Sequence, residues 1–195
     1  PNVCNNAQMC NTYSLQGGLR NIVAVEERAE WAAEGWDETG DPDQLRAAFA
    51  QFAGPVPAWL RAVQQVHLWG LFLHPVAPHW HDEQTVLIGD AAHPTLPFLA
   101  QGANMALEDA WALAECLDTA CNATGFAAFQ TRRKDRVTKV VAAAAANARN
   151  YHLRTPIRGL AHAVLRTAGR LRPDAAIRRF DWLYGHDETG APNRP

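Results

Sequence analysis

The 195 residues carry 48% hydrophobic and 19% charged side chains and a formal charge of -2, the balance of an ordinary folded protein with mass for one large or two small domains. No run approaches the roughly eighteen apolar residues of a membrane helix, and the start lacks the charged and apolar regions of a signal peptide, so a soluble cytoplasmic protein without a membrane role is expected. Acids crowd Glu26 to Asp43 while Arg and Lys crowd Arg132 to Arg179; without interleaved aromatics or a nucleic-acid motif, the basic half reads as a solvated helix face, and no nucleic-acid partner is expected.

Asn11 to Leu15 and Asn21 to Val25 are β-prone runs separated by Gln16-Gly17-Gly18-Leu19-Arg20, where Gly-Gly supplies positive φ. A hairpin at a sheet edge is predicted. Glu26 to Gly40 is acidic and carries Trp31 and Trp36, which, with Trp59 and Trp182, read as packing anchors. Asp41-Pro42-Asp43 then opens a helix with Leu45, Ala48, Phe49 and Phe52 at helical spacing, ended by Gly54-Pro55 and Pro57. A short helix over Ala58 to Gln65 and a strand over Val66 to Leu73 follow.

Thr85 to Ile88 is a second β-type run that breaks at Gly89-Asp90, crosses a Pro-rich loop and enters a helix at Gly102. In that helix Leu107, Trp111, Ala114 and Leu117 form one stripe, with Met105, Asp109 and Ala112 beside it, which predicts burial over much of its surface. A long helix spans about Phe126 to Asn150; its Ala142 to Ala146 run suits close packing and offers a contact for a homodimer. Shorter helices are predicted over Pro156 to Ala168 and Pro173 to Tyr184, with a loose tail after Gly185. The chain therefore reads as α+β, strands first and a helical C-terminal half, divided as 1–83, 84–120, 121–185 and 186–195. Cys4, Cys10, Cys116 and Cys121 show no zinc spacing and read as reduced, structural thiols. His74, His79 and His81 fit no helix face or strand pair, so no metal is expected there.

The chemistry concentrates in residues 85 to 110. Asp90, at the end of the β-type run, is placed to accept hydrogen bonds from two neighbouring hydroxyls. Ala91 and Ala92 have no bulk to keep a planar ligand away. Pro94 and Pro97 stiffen the loop and remove amide donors. Gly102, Ala103 and Asn104 open the helix, where free amides and the positive dipole end face outward.

Gly89-Asp90-Ala91-Ala92-His93-Pro94, Pro97, Gln101-Gly102-Ala103-Asn104 and Glu108-Asp109-Ala110 together resemble the second FAD-binding signature of flavin-dependent aromatic hydroxylases, and most resemble the salicylate-hydroxylase branch. Trp69 to Pro75 with Trp80, and Tyr13 to Val25, extend the likeness more weakly over residues 10 to 150. The resemblance implies FAD as cofactor, with Gly89, Asp90 and Ala91 on the ribityl side and Gly102, Ala103 and Asn104 on the pyrimidine edge. It places Pro97 at the reactive edge as the catalytic-site residue, and Tyr13, Trp69 and Leu71 in the substrate-pocket wall. His93 is similar to a scaffold position more than to a proton relay, and Glu108 and Asp109 read as structural acids that suit the helix dipole.

The activity so implied is hydroxylation of an aromatic acid, such as salicylate or hydroxybenzoate, with NAD(P)H and dioxygen as partners. The sequence departs from the family in one respect: it contains no GxGxxG turn for the pyrophosphate. The chain is therefore expected to be the C-terminal portion of a two-domain enzyme whose N-terminal Rossmann half is absent, or to pair with a separate flavin-binding chain. A truncated non-catalytic remnant, and an epoxidase or another flavoprotein of the superfamily, are the alternatives.

Overall fold

The computed structural model describes residues 2–5, 8–27, 37–151, 157–171, 174 and 178–190. Its contacts divide the chain into two compact units, Pro1–Leu71 with Arg149–His162, and Phe72–Ala148 with Ala163–Pro195.

In the first unit, β1 (Asn2–Asn5), β2 (Gln8–Ser14) and β3 (Arg20–Glu26) form an antiparallel sheet in the order β1-β2-β3. The predicted hairpin is β2–β3, with Asn11 opposite Val23 and Ser14 opposite Arg20. Gly17 and Gly18 take φ of 76° and 77° at its tip, a backbone that side-chain-bearing residues rarely adopt. The helix predicted after Asp41 is α1 (Pro42–Ala48), capped by the Asp41 carboxylate, which accepts from the Asp43 amide at 2.8 Å. α2 (Val56–Arg61) starts earlier and ends sooner than the predicted Ala58 to Gln65, because Pro57 is tolerated in a first helical turn, where no amide is needed.

Cys10 from β2 meets Phe49, Phe52, Val56 and Leu60 in one core, with Ile22, Ala24, Leu45, Ala48 and Trp59 around it. Burial pushes the Cys10 thiol above its ordinary pKa, as expected of a packing thiol. Arg46 ties α1 to the end of α2 by donating to the Leu60 and Val63 carbonyls at 3.2 and 2.7 Å. The strand predicted over Val66 to Leu73 is corrected: β5 is only Val66–His67, paired with β4 (Thr39–Gly40). A strand persists only as far as a partner takes its amides, and after the Leu68 amide reaches the Glu38 carbonyl at 2.9 Å no regular structure follows to Leu73. Trp31 and Trp36 lie outside the described residues.

The second unit holds most of α3 and α4: α3 is Gly102–Thr119 and α4 is Ala123–Tyr151. Its core joins Trp80, Ala92, Leu99, Met105, Ala112, Phe129, Val137, Val140, Val141, Ala144 and Leu183. Trp80 is wholly buried: its indole donates to the Ala77 carbonyl at 2.9 Å and its amide donates to Gln130 Oε1 at 2.8 Å. The predicted stripe on α3 is corrected. Met105, Asp109 and Ala112 are buried, while Leu107 is 70% and Trp111 47% exposed.

α5 (Ile157–Leu171) covers the helix predicted from Pro156, which itself lies outside the described residues. Of the predicted Pro173 to Tyr184, the described helical residues are Arg178, whose amide donates to the Asp174 carbonyl at 2.9 Å, and α6 (Asp181–Tyr184). No helix among the described residues is long and apolar enough to cross a membrane.

Candidate functional site

Thr85 to Ile88 is extended but is not the laddered strand the apolar run predicts. One bridge joins Val86 to His81, the Leu87 amide donates to the Trp80 carbonyl at 2.7 Å, and Leu87 and Ile88 are exposed. At Gly89 the chain turns with φ of 56°, and a Cβ there would stand 3.2 Å from the Ala106 Cβ. Glycine thus gives both the left-handed backbone and the close approach to α3. A 3-10 turn over Gly89–Ala91 follows, and the Ala92 and His93 amides both donate to the Gly89 carbonyl at 2.9 Å. Asp90 and Ala91 stay exposed at its crest.

A second 3-10 turn, Pro97–Leu99, leads through left-handed Ala100 to Gln101, whose side chain gives α3 no cap. The leading amides of Gly102, Ala103 and Asn104 therefore face outward without an N-cap acceptor. Asn147 on α4 donates to the Phe98 carbonyl at 2.8 Å and anchors the Pro97 turn. A Cβ on Gly102 would lie 3.8 Å from Asp90 Oδ1 and 3.6 Å from Thr95 Cγ2. The carboxylate and the helix start thus share one face, and the bare Cα between them leaves a cradle that a side chain would fill. Asp90, Ala91, Pro97, Ala103 and Asn104 are exposed there, Gly102 is half-buried, and Gly89 is buried beneath them. That arrangement fits the hydroxyl-bearing and electron-rich parts of a flavin. Tyr13, Trp69 and Leu71 belong to the first unit and are 50%, 58% and 46% exposed.

The sequence reading missed a buried charge network under this face. Asp109 Oδ2 accepts from the Gly89 amide at 2.9 Å and from His93 Nε2 at 2.6 Å, while Oδ1 accepts from Arg133 Nε at 2.8 Å. His93 Nδ1 is buried without a partner; the carboxylate can only accept, so Nε2 donates the bond to Asp109. Arg133, fully buried, also donates to Glu108 at 2.7 Å and to Glu188 at 2.5 Å. Arg136 grips both Glu108 oxygens at 2.7 and 2.6 Å. Burial works to raise the Asp109 pKa, but bonds from His93, Arg133 and Gly89 outweigh it and hold the carboxyl below its ordinary range. At Glu108 burial is likewise outweighed, by Arg136 and Arg133.

Two expectations fall here. The basic half is not uniformly solvated, and residues 186–190 are not a loose tail: Glu188 accepts from Arg132 at 2.6 Å and from His186 at 2.9 Å as well as from Arg133. Glu108, His186 and Glu188 do bring ligand-type atoms within 4.8 Å of one another, yet their carboxylates already carry guanidinium partners. Arg133 and Arg136, about one turn apart on α4, face the acid pair Glu108 and Asp109 of α3, while the adjacent Arg132 reaches Glu115 and Glu188.

A family model described as an FAD binding domain matches residues 8–144. The 3-amino-4-hydroxybenzoate 2-monooxygenase PtmB3 of Streptomyces platensis is 35% identical over 182 residues, which cover 92% of this chain and 44% of that protein. A salicylate hydroxylase of Pseudomonas putida is 32% identical, over 88% of this chain and 40% of its own length. Among solved structures, a salicylate hydroxylase substrate complex superposes with a TM-score of 0.76 at 24% identity, covering 96% of this chain and 47% of that one, which shows a shared fold. The chain thus spans less than half the length of these relatives. With the family model running through both the hairpin and the Asp90–Gly102 cradle, the chain belongs to the FAD-binding domain family of flavin-dependent aromatic-hydroxylase-like proteins.

Proposed function

We propose that this chain forms the ribityl and isoalloxazine side of the flavin site in an FAD-dependent monooxygenase that hydroxylates an aromatic acid with NAD(P)H and dioxygen. The observation that carries the reading is the Asp90 carboxylate set against the uncapped start of α3 at Gly102. Bound FAD would supply the redox and oxygen chemistry, and the protein binding, orientation and electrostatics. Asp90 accepts from ribityl hydroxyls, each charge-assisted bond contributing about 1.5–3 kcal/mol. The amides of Gly102, Ala103 and Asn104 receive the pyrimidine edge, and the helix dipole favours negative charge there by about 0.3–2 kcal/mol. Pro97 bounds the reacting side; in the first unit, Tyr13, Trp69 and Leu71 present exposed aromatic and aliphatic side chains of the kind that receive a substrate ring.

The names of the relatives, an aminohydroxybenzoate monooxygenase and salicylate hydroxylases, favour a hydroxylated aromatic carboxylate. The pyrophosphate and adenosine ends of the cofactor have no GxGxxG turn in these 195 residues. That part of the site comes from the N-terminal half of the same enzyme or from a separate chain. Titration of the chain with FAD, followed by flavin fluorescence, tests the reading. Asp90→Ala weakens binding and leaves helix content unchanged; equal retention in the variant removes Asp90 from the site.

A further inference from the structure

We propose that Asp109 is the positioning residue of the flavin-side turn, clamping it from beneath, and that Arg133 and Glu188 hold the clamp in register. The inference rests on the reading of Asp90 as a flavin contact and adds what places that contact. A single oxygen, Asp109 Oδ2, receives both ends of the loop: the Gly89 amide at 2.9 Å and the His93 ring at 2.6 Å. Between those two anchors lie Asp90, Ala91 and Ala92, so one carboxylate sets the height and tilt of the crest that presents Asp90. The second oxygen is taken by Arg133 at 2.8 Å, which fixes rotation of the carboxylate about its last bond. Arg133 is in turn held by Glu108 and by Glu188, the latter from the turn that follows α6.

Asp109 is fully buried while Asp90 is exposed, so its influence on a ligand passes through the turn. Asparagine at this position keeps the shape but offers one acceptor oxygen, and turns an amide N–H toward groups that are themselves donors.

A double-mutant cycle on the full chain tests the clamp: Asp90→Ala, Asp109→Asn and the pair, each titrated with FAD well below its melting temperature. Asp109→Asn is expected to weaken FAD binding about tenfold or more, the scale of one charge-assisted bond. In the Asp90→Ala background the same change is expected to cost nothing further. Additive losses, or wild-type affinity in Asp109→Asn, overturn the proposal. Amide exchange gives a readout independent of flavin: Asp109→Asn speeds exchange at Gly89, and an unchanged Gly89 rate overturns the clamp. If Asp90→Ala leaves FAD affinity unchanged, the flavin reading fails at that step; in that case, or where the chain without a pyrophosphate turn binds too little FAD to titrate, the exchange result alone decides the clamp. Should Asp109→Asn not fold, Glu188→Gln replaces it, with a smaller shift in the same direction expected and no shift counting against the proposal.

Discussion

Around Cys10, Phe49, Phe52, Val56 and Leu60 the first unit packs apolar side chains, whereas the second buries Asp109, Arg133 and His93 among Trp80, Phe129 and Met105. An apolar core is non-directional and tolerates exchanges that conserve volume. A buried ion cluster costs desolvation and repays it only in one geometry. The second unit carries that cost directly beneath the turn bearing Asp90, where a fixed position matters more than extra stability. The first unit, with Thr12 as the buried polar residue among those described, carries no comparable constraint.

Breaking the cluster gives the largest expected effect. Arg133→Ala leaves the buried Asp109 without its guanidinium and is expected to cost about 3–5 kcal/mol in denaturant unfolding; a loss below that of an ordinary surface change would dissolve the contrast. Acid comes next. Asp109 and Glu108 are held below their ordinary pKa in the folded chain, so the stability they contribute is whole above about pH 4 and is lost as pH falls through the lowered folded values. Amide NMR of residues on α3 and α4 is expected to broaden or vanish before the Cys10–Leu60 core reports change; the opposite order would break the comparison.

Smaller effects sharpen it. Leu60→Met conserves volume in the apolar core and is expected to cost less than about 1.5 kcal/mol, measurable as a shift in denaturation midpoint. At the edge of the first unit, Asp41→Ala removes only the cap of α1, for about 1 kcal/mol in the same measurement.

What the sequence made legible was local. Gly17-Gly18 and the Asp41-Pro42-Asp43 cap state their backbone requirements within a few residues, and the turn at Gly89 and helix start at Gly102 appear where the motif puts them. What it hid was tertiary. Leu107 and Trp111 look like the inward stripe of α3 by apolarity alone, but Asp109 turns the helix because its partners His93 and Arg133 wait inside. Leu68 to Leu73 has the composition of a strand and lacks the neighbour that would complete one. Arg133 sits in a run of basic residues and becomes distinguishable only when α4 lies across α3.

The outward turn of Trp111 has an optical consequence. It stands on the same helix as Asn104 and seven residues further on, about 10 Å along the axis, within resonance-transfer range of an isoalloxazine if the ring binds at the helix start as we propose. The difference in ultraviolet-excited emission between the chain and its Trp111→Phe variant, with and without added FAD, would then be a built-in ruler of that proposed placement, without any attached dye.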